Sequence, residues 1–303
     1  MATVREIRRR IKSVRNIAQI TRAMQAVAAS RMLRAQEAVL ATRPYAQRAW
    51  TLLTHLAAQR RETEELHPMF QARPVNRVAL VLLTSDRGLC GAFNANIIRQ
   101  TLEYIEALPV PADVVTVGRK GRDFMLRQGQ SLVAEFSNLP AQPSLTDATP
   151  IARVVLNGFL EGTYDAVWLA YTDFVNTLRQ DAVVKRLLPL TPTDLEKQVM
   201  AEYVDEGEAI EVPEYIYEPD PRTILDTVVP RFTELQVYQA VLESIASEHS
   251  ARMVAMRNAT ENAEALTQDL QLTYNKVRQQ AITSEIMDIS GGAEALAKAR
   301  AVS

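Results

Sequence analysis

Two stretches of this chain contain neither glycine nor proline: residues 1–43 and residues 231–290. That absence constrains the fold more than any other feature, because these two residues are the usual breakers of a helix. Both stretches carry apolar residues at helical spacing, and neither has the composition to close on itself as a domain. The N-terminal stripe runs Ile7, Ile11, Val14, Ile17, Ile20, Met24, Val27, a mean spacing near the 3.5 of a coiled-coil seam. Thr3 followed by Glu6 predicts a capping box at its start. Pro44 is expected to kink this helix without ending it, since Ala46, Trp50, Leu53 and Leu56 resume the pattern. A helix reaching about residue 58 would measure roughly 85 Å.

The second stretch starts at Asp220-Pro221, a helix start with proline at the first position. Ile224, Leu225, Val228, Phe232, Leu235, Leu242, Ile245, Met253 and Met256 keep its stripe, with Pro230 inside. Gly291-Gly292 is expected to loosen the end, with Ala293 to Ala299 able to continue beyond. Residues 1–37 hold nine basic and two acidic residues, and residues 231–290 hold five basic and eight acidic. Two seams of similar length and opposite charge predict an antiparallel pair. Arg8-Arg9-Arg10 fits either a solvated face or contact with an acidic partner.

The middle has another texture. Residues 59–75 read as a polar linker. Short apolar runs at Arg77–Leu83, Asp113–Gly118, Leu132–Phe136, Tyr164–Tyr171 and Val183–Leu188 alternate with helical patterns at Asn94–Leu108, Arg122–Gln128 and Thr149–Leu160. Strands alternating with helices predict a mostly parallel α/β sheet. The fold class expected is α/β: a long antiparallel coiled coil of N- and C-terminal helices plus a central Rossmann-like α/β domain. The divisions expected are 1–58, 76–212 and 221–300. Residues 189–221 form a strongly acidic surface excursion.

The chemistry-bearing residues are few. The one cysteine, Cys90, excludes an intrachain disulfide and any thiolate zinc site. His55, His67 and His249 have no metal-ligand spacing. Ser85-Asp-Arg-Gly-Leu-Cys-Gly-Ala-Phe-Asn94 lies after a strand and before a helix, where phosphates are cradled, yet it holds neither G-x-G-x-x-G nor G-K-[ST]. No catalytic residue and no cofactor or metal site is expected. The longest apolar runs fall far short of the ~18 residues of a membrane span. The Arg-rich N-terminus resembles a transit peptide only superficially and reads as mature helix. Two other readings stand beside a mechanical coiled coil: a nucleotide-binding enzyme using the Gly88–Gly91 loop, and a basic coiled coil that binds nucleic acid.

Specific motifs then point to a family. Ile7 to Met32 resembles the N-terminus of the gamma subunit of F-type ATP synthases. Ser85 to Asn94 is similar to that family's central loop, Tyr215-Ile-Tyr-Glu-Pro-Asp-Pro221 to its approach to the last helix, and Tyr274 to Gly291 to its C-terminal signature. The resemblance implies a non-catalytic rotor shaft standing inside a hexamer of alpha and beta subunits. It implies an α/β domain set with the epsilon subunit on the membrane ring of c subunits, at the cytoplasmic face of a bacterial membrane. It implies no nucleic-acid partner, and membrane contact only through the ring.

Position by position, Met24 matches the methionine that faces the torque loop of beta, and Arg252 an arginine acting in the same region. Arg278, Gln279, Thr283 and Glu285 match polar residues near the tip, where Arg and Gln engage a catch loop of beta. Tyr215, Tyr217 and Glu218 would lie near epsilon or the c ring. On spacing alone Met24 is equally a seam residue, and Thr283 and Glu285 a solvated face. The sequence departs from the family at Ser290-Gly291-Gly292-Ala293 and in the tail Ala297–Ser303. The acidic excursion has no cysteine to form the thiol switch of chloroplast relatives.

Overall fold

The computed structural model describes residues 3–58, 67–190 and 221–302. Helix α1 spans Val4–Ala58 and helix α5 spans Pro221–Val302. Between them lie a 3-10 turn (Pro68–Phe70), β1 (Val78–Leu83), α2 (Phe93–Ala107), β2 (Ala112–Val117), α3 (Arg119–Arg127), β3 (Ser131–Phe136), α4 (Leu145–Leu160), β4 (Ala166–Phe174) and β5 (Gln180–Leu188). Two compact units emerge. One joins Met1–Val27 to Val254–Ser303, and the other is Ala28–Met253.

In the second unit the five strands form one sheet in the order β3-β2-β1-β4-β5. β1 pairs in parallel with β2 and β4, and β2 with β3. Only β5 is antiparallel, on β4. A strand covered on both faces must be apolar on both, and all six residues of β1 are buried. One face packs on α2 and α3 through Ile97, Ile98 and Met125. The other packs on α4 and on α5 itself, through Ile151, Val155, Phe159, Phe232, Leu235 and Leu242. The long helix is therefore a wall of the domain's core. From Phe232 to Ser250 it is buried on nearly every side, polar residues such as Thr233, Gln236, Gln239 and Ser247 included.

In the first unit the two helices pair, and the inward stripe differs from the expected one. Ile7, Ile11 and Thr21 are buried, with Val14 and Ala18 half-buried between them. Opposite them Met256, Thr260 and Ala263 are buried, and Thr267, Leu270, Tyr274 and Val277 half-buried. Ile17, Ile20 and Val27 are instead 50%, 59% and 53% exposed. The reason is periodicity. Steps of four and three, as in 7-11-14-18-21, hold one face toward a partner, whereas three consecutive steps of three, 11-14-17-20, rotate off it. Thr21 Oγ1 meets Thr260 Oγ1 at 2.7 Å across the seam, and Arg22 pairs with Glu264 beside it. That register brings Val4 level with Val277. Beyond Ala281, all side chains through Ala293 are exposed.

Local sequence signals explain most ends. Thr3 and Glu6 form the expected box, with Thr3 N donating to Glu6 Oε2 at 2.9 Å and Glu6 N to Thr3 Oγ1 at 3.3 Å. α1 runs through Pro44, and α5 through Pro230. α5 continues through Gly291-Gly292 to Val302, the continuation that Ala293 to Ala299 allowed. Neither glycine takes the left-handed φ of a helix stop, and the Ala-rich sequence beyond favours helix.

Gly118, between β2 and α3, does need its glycine. Its φ is +95°, and a Cβ there would stand 2.2 Å from the backbone oxygen of Thr84. Gly129 has φ +70° with nothing within 4 Å of its Cβ position. Gly118→Ala should cost about 3 kcal/mol, and Gly129→Ala roughly 1 kcal/mol. Urea denaturation of the full chain measures both, and equal losses would remove the steric account of Gly118.

Candidate functional site

The loop after β1 was the best candidate for ligand chemistry, and the chain's own side chains fill it. Ser85 N donates to Asn94 Oδ1 at 3.0 Å, and Asn94 Nδ2 donates to Ser85 Oγ at 2.7 Å and to Cys90 Sγ at 3.2 Å. Burial, the largest influence, pushes the Cys90 thiol up from its ordinary pKa, which leaves it unactivated. The amides at the start of α3 are also taken. Arg119 N donates to Asp86 Oδ1 at 3.1 Å, and Gly121 N to Thr84 Oγ1 at 2.9 Å. A helix N-terminus favours an anion, and Asp86 is that anion here. Its other oxygen accepts from Asn138 N at 2.8 Å. The chain's own side chains thus take up the amide of Ser85 and those of Arg119 and Gly121 at the start of α3. Among the described residues, no three His, Cys, Asp or Glu side chains gather in a metal-binding group.

Arg252 lies above this loop, and its guanidinium is engaged within the chain. Its side chain is 12% exposed. Nη1 donates to Glu248 Oε1 at 2.6 Å and lies 3.3 Å from His249 Nδ1. Nη2 donates to the carbonyls of Arg87 and Gly88, each at 3.2 Å. Burial raises the pKa of Glu248 in spite of Arg252. Burial first, and then the charges of Arg252 and Arg31, lower that of His249 to about 4. The sequence reading missed Glu248 and His249 as partners of Arg252. The signal present was Glu248 and Arg252 at i,i+4 on one helix.

The other named residues spread over the first unit. Met24 is half-buried, on the flank that carries the exposed Ile17, Ile20 and Val27. Arg278, Gln279, Thr283 and Glu285 are all exposed on α5. Arg278 stands over the Tyr274 ring, 5.8 Å from its centre. Tyr215, Tyr217 and Glu218 lie outside the described residues. The described residues place an exposed apolar flank beside Met24 on α1, and an exposed polar run from Arg278 to Glu285 on α5.

Comparison with known proteins follows this geometry. A family model described as "ATP synthase" matches residues 3–296. The ATP synthase gamma chain of Dehalococcoides mccartyi (strain CBDB1) is 50% identical over 297 residues, covering 98% of this chain and 100% of the relative. That of Roseiflexus castenholzii is 49% identical over 302 residues, with 98% and 100% covered. Among solved structures, the central stalk/c-ring of the Tetrahymena thermophila mitochondrial ATP synthase matches with TM-score 0.58 at 26% identity, over 79% of this chain and 99% of that one. A chain of the Euglena gracilis mitochondrial ATP synthase, from an OSCP/F1/c-ring structure, shares the fold with TM-score 0.63 at 20% identity, over 97% and 94%.

The buried cluster yields a pH test. A histidine held near 4 when folded, against about 6.5 when unfolded, is protonated first in the unfolded chain. Its penalty is absent above pH 6.5 and grows as pH falls toward 4. His249→Gln should therefore gain stability relative to wild type on acidification, by about 2 kcal/mol between pH 7 and pH 5. The raised Glu248 pushes the other way in both proteins; Arg31 and Arg252 act on both groups and Asp86 on Glu248, so the share of Glu248 largely cancels in the difference. Denaturation midpoints at the two pH values give the result, and a pH-independent difference would refute it.

Proposed function

The chain belongs to the ATP synthase gamma-chain family, and from that premise we propose that it is the central rotor shaft of an F-type ATP synthase, carrying rotation of a c ring to an alpha/beta hexamer. The observation that supports this most strongly is the match of 98% of the chain to gamma chains at half identity. The chain itself is non-catalytic, and the self-filled loop at Ser85–Asn94 favours that reading. Epsilon is a further partner. Among the described residues no helix is long and apolar enough to cross a membrane, and membrane contact runs through the c ring, at the cytoplasmic face of the bacterial membrane.

Partner contact divides by chemistry. The exposed apolar flank of Ile17, Ile20 and Val27 beside Met24 suits a sleeve that must slide past it, since dispersion contacts are non-directional. Arg278, Gln279, Thr283 and Glu285 lie on the polar run toward the end of α5 and can make directional hydrogen bonds to a catch loop of beta. Arg252 is spent on the chain's own carbonyls, so its part in torque transfer is to position the Arg87–Gly88 turn. Tyr215, Tyr217 and Glu218 contact epsilon or the c ring.

Tagged protein expressed in its bacterial source should co-purify with the alpha, beta, epsilon and c subunits. Isolation alone, or steeply salt-dependent DNA affinity, would count against the rotor. Met24→Lys sets a cation on the apolar flank, opposite an acidic loop. Protons pumped per ATP hydrolysed should fall, because a shaft held back by that ion pair lets the surrounding subunits turn over ATP without completing the rotation. The ratio is read in inverted membrane vesicles, and equal loss of pumping and hydrolysis would contradict the expectation.

A further inference from the structure

Between Ser247 and Arg252, α5 sends three side chains to the main chain of the α/β domain. Ser247 Oγ donates to the carbonyl of Thr172 at 3.1 Å, in β4. Ser250 Oγ donates to the carbonyl of Thr177 at 2.8 Å, in the turn between β4 and β5, and accepts from Gln180 Nε2 at 3.3 Å. Arg252 Nη2 donates to the carbonyls of Arg87 and Gly88, in the loop after β1. All four acceptors are backbone oxygens, drawn from three separate segments. Glu248 holds Arg252 from the same helix at 2.6 Å and offsets its charge.

We propose that Ser247, Ser250 and Arg252 form a clasp that fixes the rotational angle of α5 relative to the α/β domain, making these three the positioning residues through which torque passes between helix and domain. The inference rests on the rotor reading above. The apolar wall lower on α5, from Val229 to Leu242, supplies most of the burial. Apolar contact tolerates small rolls, because its energy depends on area and not on direction. Hydrogen bonds do not tolerate them. A roll of about 15° moves a group ~5 Å from the helix axis by about 1.3 Å, enough to take a 2.8–3.2 Å bond out of range. Backbone acceptors add to the effect, since a carbonyl fixed in a sheet or a closed turn cannot follow the donor as a flexible side chain can.

The test uses the assembled complex, with a rod attached to the domain through Glu106→Cys on exposed α2. Cys90 is buried and stays unlabelled. The measured quantity is the angular spread of the rod while the motor pauses. The triple variant Ser247→Ala, Ser250→Ala, Arg252→Met should widen that spread about two-fold, since it removes all four bonds to main-chain carbonyls together with the Gln180–Ser250 and Arg252–Glu248 bonds, while ATP-driven stepping continues. Arg257→Met removes a surface pair with Glu261 and should leave the width unchanged. Gly129→Ala lowers stability away from α5 and should also leave it unchanged. Widening by Gly129→Ala as large as that of the triple variant would mean general softening and would overturn the clasp. If the triple variant fails to assemble, Ser247→Ala and Ser250→Ala singly should each widen the spread by a smaller share, and no widening in either would overturn it. A wild-type rod that never turns with ATP would refute the rotor reading itself.

Discussion

The structure depends on one packing relation: the middle of α5 is part of the α/β domain's core. Phe232, Leu235 and Leu242 belong to the same apolar cluster as Val81, Leu169 and Phe159. The domain cannot bury that face of its sheet without the helix, and this stretch of helix cannot leave water without the domain. At about 25 cal/mol per Å² of apolar surface, large buried side chains contribute roughly 2 kcal/mol each. Several such residues make helix and domain one folding unit. The buried polar groups on α5 follow from the same relation. A helix covered on nearly every side has little solvent face on which to place Ser247 or Glu248, and these two find their partners inside.

The paired ends obey a different rule. Their seam has small or short side chains at its centre, Ala18, Thr21, Thr260 and Ala263, and larger ones such as Ile7, Ile11 and Tyr274 toward one end. The large apolar residues nearby, Ile17, Ile20 and Val27, point away from it. A soluble pair standing alone would place its largest apolar groups inside. Here large apolar groups lie on both sides, Ile7 and Ile11 within the seam and Ile17, Ile20 and Val27 outside it, an outer face that suits a pair surrounded by a further surface.

Much of this was legible in the sequence, and the failures are informative. The absence of breakers located both long helices, and the capping box at Thr3 and Glu6 is present as expected. The alternation of apolar runs located the five strands of the sheet. The phase of the seam was not legible, because two apolar stripes share the same turns and a count of apolar residues favours the larger one. Only the 4-3-4-3 step rule separates them. α5 runs on through Gly291-Gly292, as the sequence from Ala293 to Ala299 allowed, because two glycines weaken a helix without supplying a stop. The work of Arg252 was hidden because its acceptors lie about 165 residues away in sequence and are backbone carbonyls, which leave no mark in a residue pattern.

The carboxylate of Asp86 at the start of α3 has one more consequence. A fold of this type commonly gains stability by mass action when a nucleotide or phosphate settles on such a helix end. This chain carries the equivalent charge covalently, at an effective concentration that never varies. The start of α3 is thereby completed by a group that comes with the chain, tying the loop after β1 to Arg119 and Asn138 without any ligand between them.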